Sequence, residues 1–224
     1  MNFKLQVSAL LLLLVLSVTA VAEDDGFPQV TVGGLHLVEG TAMGHVYAKP
    51  GVDLSQYGRI SLSPPQIAFS RNWLRRQNSI PGRTITATDM ENIKRDLSEL
   101  FMEVFREELQ NNGGYVLVDG AAEDVLTVHP AIINLDVVSP DTPRTRNQRS
   151  AIETVGQMTL FLELMDSMTG DLLVKALDHQ YDRSRVRIQF TDRMRNEAAA
   201  RAMLSDWAVI LRTALDNART KVSK

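Results

Sequence analysis

Between residues 93 and 109 the apolar side chains Ile93, Leu97, Leu100, Phe101, Val104, Phe105 and Leu109 recur at spacings of three and four. That recurrence follows the α-helical turn and lays all seven on one stripe. A stripe this wide and aromatic is stable only against a second apolar layer, so the rest of the chain must build that layer. Thr88-Asp89-Met90-Glu91 offers a capping box that opens the helix, and Asn111-Asn112-Gly113-Gly114 ends it, since glycine accepts the left-handed conformation common at helix ends.

The flanking segments read as strands. From Arg59 to Phe69, Ile60 and Leu62 alternate with polar residues, and Pro64-Pro65 break the ladder before Ile67 and Phe69. Two prolines place that break at a sheet edge or bulge. Tyr115 to Val118 is a short strand and Asp119 to Asp124 a turn. Val125 to Val138 is a longer strand with a bulge expected at Pro130. Ala151 to Asp166 and Leu172 to about Arg187 form a long hairpin around Ser167-Met168-Thr169-Gly170. A last helix starts at Thr191 or Asn196 and runs to about Ala218, with Met203, Leu204, Trp207, Leu211 and Leu215 on one face and Trp207 as its core anchor.

The order strand, helix, meander, helix predicts an α+β fold. One mixed, mostly antiparallel sheet of about five strands carries two long amphipathic helices on the same face. The organisation expected is a signal peptide at 1–22, an irregular lead-in with weak strands at 23–46, and a single α+β domain at 47–224.

The export signal is read from three parts: Lys4 as the only charge of the first 22 residues, an apolar run from Ala9 to Leu16, and Ala20-Val21-Ala22 before Glu23. Gln6, Ser8, Ser17 and Thr19 interrupt the stretch, which a membrane span of about 20 apolar residues does not tolerate well. Cleavage after Ala22 is expected, giving a periplasmic or secreted protein of about 200 residues with no transmembrane span, within the size of one domain. Cysteine is absent, so stability rests on packing without disulfides and no thiolate chemistry is available. The net charge of −3 shows no basic excess for binding nucleic acid.

The segment Tyr47-Ala48-Lys49-Pro50-Gly51-Val52-Asp53-Leu54-Ser55-Gln56-Tyr57, followed by the strand from Arg59, resembles the opening of a bacterial envelope family, domain-of-unknown-function family 3313. Similar too are the helix ending in Gly113-Gly114-Tyr115, the hairpin from Asp166 to Leu172, and the last helix with Trp207-Ala208 and Leu211. The resemblance spans about Tyr47 to Leu215 and implies location and fold more than activity. Many members look like lipoproteins. This chain lacks the cysteine that would carry the lipid, so a soluble form is expected. The resemblance supplies no catalytic residues.

Among chemistry-bearing residues, His36, His45, His129 and His179 lack the i, i+4 spacing of a helical zinc pair. Asp178-His179 with Asp136 and Asp182 is the best acid–base group, but neighbours in a strand point to opposite faces. No nucleophile elbow occurs, and neither Gly33-Gly34 nor Gly113-Gly114 has the context of a phosphate cradle. The nine methionines fit core packing better than copper binding. No cofactor is expected.

Two basic groups stand out. Trp73 with Arg71, Arg75 and Arg76 is an aromatic among cations, either a partner-binding loop or a tryptophan folded back over the sheet edge. Truncating Trp73 is expected hardly to affect stability, unlike truncating Trp207. The other group follows from topology. If each tight connection after Tyr115 reverses the chain, the strands ending near Val138 and Arg187 both return to the Arg59 end of the sheet. Arg144, Arg146, Arg149, Arg183, Arg185 and Arg187 would then gather there as a site for phosphate or carboxylate groups. The function expected is non-enzymatic binding of a partner protein or an anionic envelope component. The alternatives are a hydrolase of envelope material, which needs a cleft gathering Asp136, Asp178 or His179, and a carrier of a hydrophobic small molecule, which needs a closed apolar pocket. Oligomeric state has no sequence signal.

Overall fold

In a computed structural model, residues 26–137, 156–181 and 193–221 are described. The expected signal peptide, the arginines from 144 to 149 and from 183 to 187, and Asp182 lie outside them. Among the described residues eight strands form one mixed sheet: β1 (His36–Val38), β2 (His45–Ala48), β3 (Arg59–Leu62), β4 (Gln66–Phe69), β5 (Val116–Leu117), β6 (Val125–Asp136), β7 (Gln157–Asp166) and β8 (Leu172–Tyr181). Three helices accompany them: α1 (Trp73–Asn78), α2 (Ala87–Arg106) and α3 (Arg193–Lys221). The spatial order is β1-β2-β8-β7-β6-β3-β5, with β4 also beside β6.

Eight strands replace the expected five for two local reasons. Pro64 and Pro65 cut the first strand into β3 and β4, which share β6 as a neighbour, β3 along Val125–Val128 and β4 along Ala131–Leu135. The glycine-rich lead-in contributes β1 and β2, and β2 joins the sheet by pairing with β8.

The apolar stripe sits where its spacing puts it. Leu97, Leu100, Phe101, Val104 and Phe105 of α2 are buried, with Phe101 and Phe105 stacked at 3.9 Å. They share a core with Leu204, Trp207 and Leu211 of α3 and with alternate residues of the central strands, Leu126, Val128 and Ile132 of β6 and Met158, Leu160 and Leu162 of β7. Both long helices therefore cover the same face of the sheet.

α2 opens earlier than expected. Thr86 is its N-cap: the Asp89 N–H donates to the Thr86 hydroxyl at 3.2 Å, and the Thr86 N–H donates to the Asp89 carboxylate at 2.8 Å. Thr86-x-x-Asp89 satisfies the same reciprocal geometry as the box read from Thr88, with a shorter acid. The helix then widens into a π turn over Glu107–Asn112 before the two glycines stop it.

Two expectations about β6 are corrected. The bulge lies at Asn134, whose φ is +53°, where the register with β7 shifts between Ile133 and Asp136. Pro130 stays in regular register opposite Leu162. The Val128 carbonyl accepts from Ser63, so Pro130, two residues on, turns its missing N–H toward the gap between β3 and β4, and no ladder bond to β7 is lost. The second correction concerns direction. β5 runs parallel to β3 as the crossover requires, but β6 is also parallel to β3, on its other side. β5 has only two residues, so the chain needs little backtracking to restart beside Arg59. Each strand from β6 onward is therefore reversed relative to expectation, and Val137 and Tyr181 emerge at the end of the sheet opposite Arg59.

Candidate functional site

That opposite end is where α1 sits. The Ser70 N–H donates to the Leu135 carbonyl at 2.9 Å, tying the end of β4 to β6, and Asn72 turns the chain at φ +62° into α1. Trp73 is 1% exposed. Its ring stacks on Phe69 at 4.2 Å and its indole N–H donates to the Val137 carbonyl at 3.0 Å. The Gln77 amide donates to the same carbonyl at 3.2 Å. Asn78 brackets Ile85, accepting from its N–H at 2.6 Å and donating to its carbonyl at 3.0 Å. The expected loop is thus a short helix bolted to the sheet end, and Trp73 is a core residue unavailable to a partner. Its loss must cost stability, contrary to the sequence expectation.

The arginines divide. Arg76 is engaged: it donates to the Arg71 carbonyl at 2.7 Å, to the Ser70 hydroxyl at 2.9 Å and to the Asp136 carboxylate at 2.6 Å. Arg71 and Arg75 are exposed. Among the described residues no carboxylate lies within ion-pair distance of either. Since Gln157 of β7 pairs with both Asp136 and Tyr181, the strands leading to residues 144–149 and 183–187 also end on this row. The structure therefore brings α1 and both strand exits together, at the far end from Arg59.

The acid–base candidates are held apart. Asp178 accepts from the Trp207 indole N–H at 2.7 Å and from the Gly44 N–H at 2.8 Å. His179 points to the other face, its Nδ1 3.0 Å from the Thr159 hydroxyl. Asp136 belongs to the Arg76 pair. The remaining histidines are separate: His45 stacks on Phe27 at 3.7 Å, His129 lies 3.3 Å from the Ser63 hydroxyl, and His36 is exposed on β1. Among the described residues no group of three ligand-type side chains converges. An open groove of about 710 Å3 runs along the outside of α2, between Pro64 and Glu99, Glu103 and Glu107, and includes none of the acid–base candidates.

Near the Arg59 end the π turn carries a polar network that sequence reading missed. Glu108 accepts from Arg212 Nε at 2.5 Å, Arg212 bonds Asp216 at 2.5 Å, and the Tyr115 hydroxyl donates to Asp216 at 3.0 Å. Arg219 lies 3.7 Å over the Tyr115 ring. Burial, reinforced by the bond to Asp216, pushes the Tyr115 hydroxyl up to about 12. Burial and the bond to Asp166 do the same for Tyr57, also to about 12. For Glu108 burial works upward, but the bonds from Asn112 and Arg212 outweigh it and hold the carboxyl below its usual range. Arg212 and Asp216 were legible as an i, i+4 pair. Their link to Glu108 exists only in three dimensions, and every member of the network is used internally.

Fold and site define an α+β protein with a single mixed sheet, two helices on one face and a basic cap at one sheet end. Residues 35–211 match the model of a family described as protein of unknown function (DUF3313), and the chain belongs to that family. No curated protein matches it. Among solved structures it is similar to a neuraminyllactose-binding hemagglutinin homolog from Helicobacter pylori, at 12% identity over 75% of this chain and 92% of that one, TM-score 0.39. It is also similar to XCC0632 from Xanthomonas campestris, at 13% identity over 79% and 94%, TM-score 0.38. A third is the PelC dodecamer from Paraburkholderia phytofirmans, at 12% identity over 72% and 94%, TM-score 0.33. Among the described residues no helix is long and apolar enough to cross a membrane.

Proposed function

We propose that this is an exported, non-enzymatic protein of the bacterial cell envelope that binds a partner protein or an anionic envelope component through the α1 end of its sheet. One observation carries the reading: α1 and the exits of both strands that lead into the arginine-rich segments share that end. The dispersal of Asp136, Asp178 and His179 into separate structural bonds favours binding over hydrolysis.

The export half is tested by intact-mass measurement of protein recovered from periplasm or culture medium. A mature chain beginning at Glu23 is expected, and a chain that keeps residues 1–22 would overturn it. The binding half is tested by cosedimentation of the mature chain with phosphatidylcholine vesicles with and without phosphatidylglycerol, at low and high salt. Salt-sensitive binding to the anionic vesicles, weakened when Arg144, Arg146, Arg185 and Arg187 are changed to Ser, is expected because Arg attraction to anions is screened beyond about 8 Å at physiological salt. Binding indifferent to vesicle charge and to all four substitutions would refute this form of the reading.

A further inference from the structure

From Ser70 to Thr88 the chain contains no acidic residue and four arginines, Arg71, Arg75, Arg76 and Arg83. A run of one sign is usually a solvated loop, but this one is fastened to the core at three points: Trp73 and Gln77 on the Val137 carbonyl, and Asn78 around Ile85, which is itself buried. Of the four cations Arg76 is neutralised by Asp136, while Arg71 and Arg75 project from the rigid segment into solvent. The backbone that carries them is thus fixed before any ligand arrives, which confines the ordering cost of binding to their side chains.

Elsewhere along the helical layer the charges are paired. Along the last turns of α2 and the π turn, Glu99, Glu103 and Glu108 are each met by an arginine, Arg95, Arg201 and Arg212. At 1.5 Å per residue, Glu103 lies about 24 Å along α2 from its first residue. α2 starts beside the basic segment, so Arg71 and Arg75, which meet no carboxylate among the described residues, and these paired charges lie toward opposite ends of the helix. An exposed cationic patch left without carboxylate partners is drawn toward an anionic surface.

We propose that the α1 segment is a membrane-docking face, in which Arg71 and Arg75 contact the phosphates of anionic lipid headgroups and set the molecule end-on to the bilayer. The inference rests on the envelope-binding reading above and names one of its contact sites. A surface of many phosphates fits better than a single captured one, because both arginines stand in the open and neither lines the groove on α2. A basic residue near an anionic bilayer contributes about fivefold in binding, so losing both should weaken it about 25-fold.

The test is cosedimentation of the mature chain with phosphatidylcholine vesicles with and without phosphatidylglycerol, comparing wild type, R71S/R75S, R71K/R75K and the fourfold Ser variant of Arg144, Arg146, Arg185 and Arg187. The expected result is a loss of about 25-fold for R71S/R75S at an unchanged thermal midpoint, with most of the binding restored by R71K/R75K, since a headgroup surface asks for charge more than for fork geometry. Inorganic phosphate at matched ionic strength should compete weakly. Displacement by phosphate under those conditions would show a discrete phosphate site and overturn membrane docking. If R71S/R75S binds like wild type while the fourfold variant does not, the α1 face is ruled out and the broader reading survives. Wild-type protein that ignores phosphatidylglycerol would remove the α1 docking face and the anionic-component form of the broader reading together.

Discussion

Both tryptophans donate their single N–H to an acceptor they share with one other donor, Trp73 to the Val137 carbonyl beside Gln77 and Trp207 to the Asp178 carboxylate beside the Gly44 N–H. Each ring is almost wholly buried, at 1% and 0% exposure, so burial area and a satisfied polar atom act together. Truncating either should cost about 3–5 kcal/mol, and Trp73→Phe, which keeps an aromatic ring against Phe69 but drops the bond to Val137, about 1 kcal/mol. Denaturant midpoints measure this. Both alanine variants should fall well below wild type, with Trp73→Phe between. A Trp73→Ala midpoint equal to wild type would contradict the packing described. From sequence Trp73 looked like a loop residue because arginines surround it, and local polarity does not report what a chain end can reach once β6 is alongside.

The end of α2 shows how an element can depend on one missing side chain. A Cβ on Gly113 would lie 2.8 Å from the Leu109 carbonyl oxygen, 2.8 Å from the Tyr115 ring and 3.0 Å from Arg212. The Leu109 carbonyl already accepts from the Tyr115 N–H at 2.9 Å, and the Gly113 N–H closes the π turn on the Glu108 carbonyl at 3.0 Å. Gly113→Ala therefore forces this turn apart and should destabilise by about 1–3 kcal/mol, as other overpacked sites do. Gly120, whose added Cβ would meet nothing within 4 Å, is the control, and Gly120→Ala should leave the thermal midpoint nearly unchanged. Equal shifts in the two variants would mean that the π turn yields without strain. The stop signal itself was legible as Asn-Asn-Gly-Gly. The widening before it was not, because the groups that meet there, Glu108 and Arg212 of α3, are far apart in sequence.

At the scale of the molecule the titrating groups predict a stability plateau with two limbs. The carboxyls of Asp124, Asp166 and Glu108 are all held below their ordinary range: Asp124 by Arg59, Asp166 by the Thr169 N–H and then the Tyr57 hydroxyl, and Glu108 by Asn112 and Arg212 against the upward push of burial. Such groups contribute stability that is full above their unfolded values of about 4 and is lost as pH falls through the lower folded values. Tyr57 and Tyr115 have the opposite sign. Raised to about 12, they stabilise fully below their ordinary value of 10.0 and lose that contribution as pH climbs toward 12. Urea midpoints should stay level through neutral pH, decline below about pH 4, and decline again above about pH 10. Tyr57→Phe and Tyr115→Phe should flatten the alkaline limb selectively, and an unchanged limb in both would show that these hydroxyls are not its source.

Periodicity alone determined the apolar face of α2, the Trp207 helix, the β7–β8 hairpin about Gly170 and the proline break between β3 and β4, since each depends on contacts a few residues apart. Family membership was likewise readable from the order of local motifs. The tertiary structure decided which flank of β3 receives β6, and with it the end of the sheet at which Val137 and Tyr181 leave. A seven-residue link after a two-residue strand permits either flank, and its local residues do not choose. The choice belongs to the core, where Leu126, Val128 and Ile132 must face the same side as β7 and beneath both helices. That one decision moved both strand exits, at Val137 and Tyr181, from the Arg59 end to the α1 end.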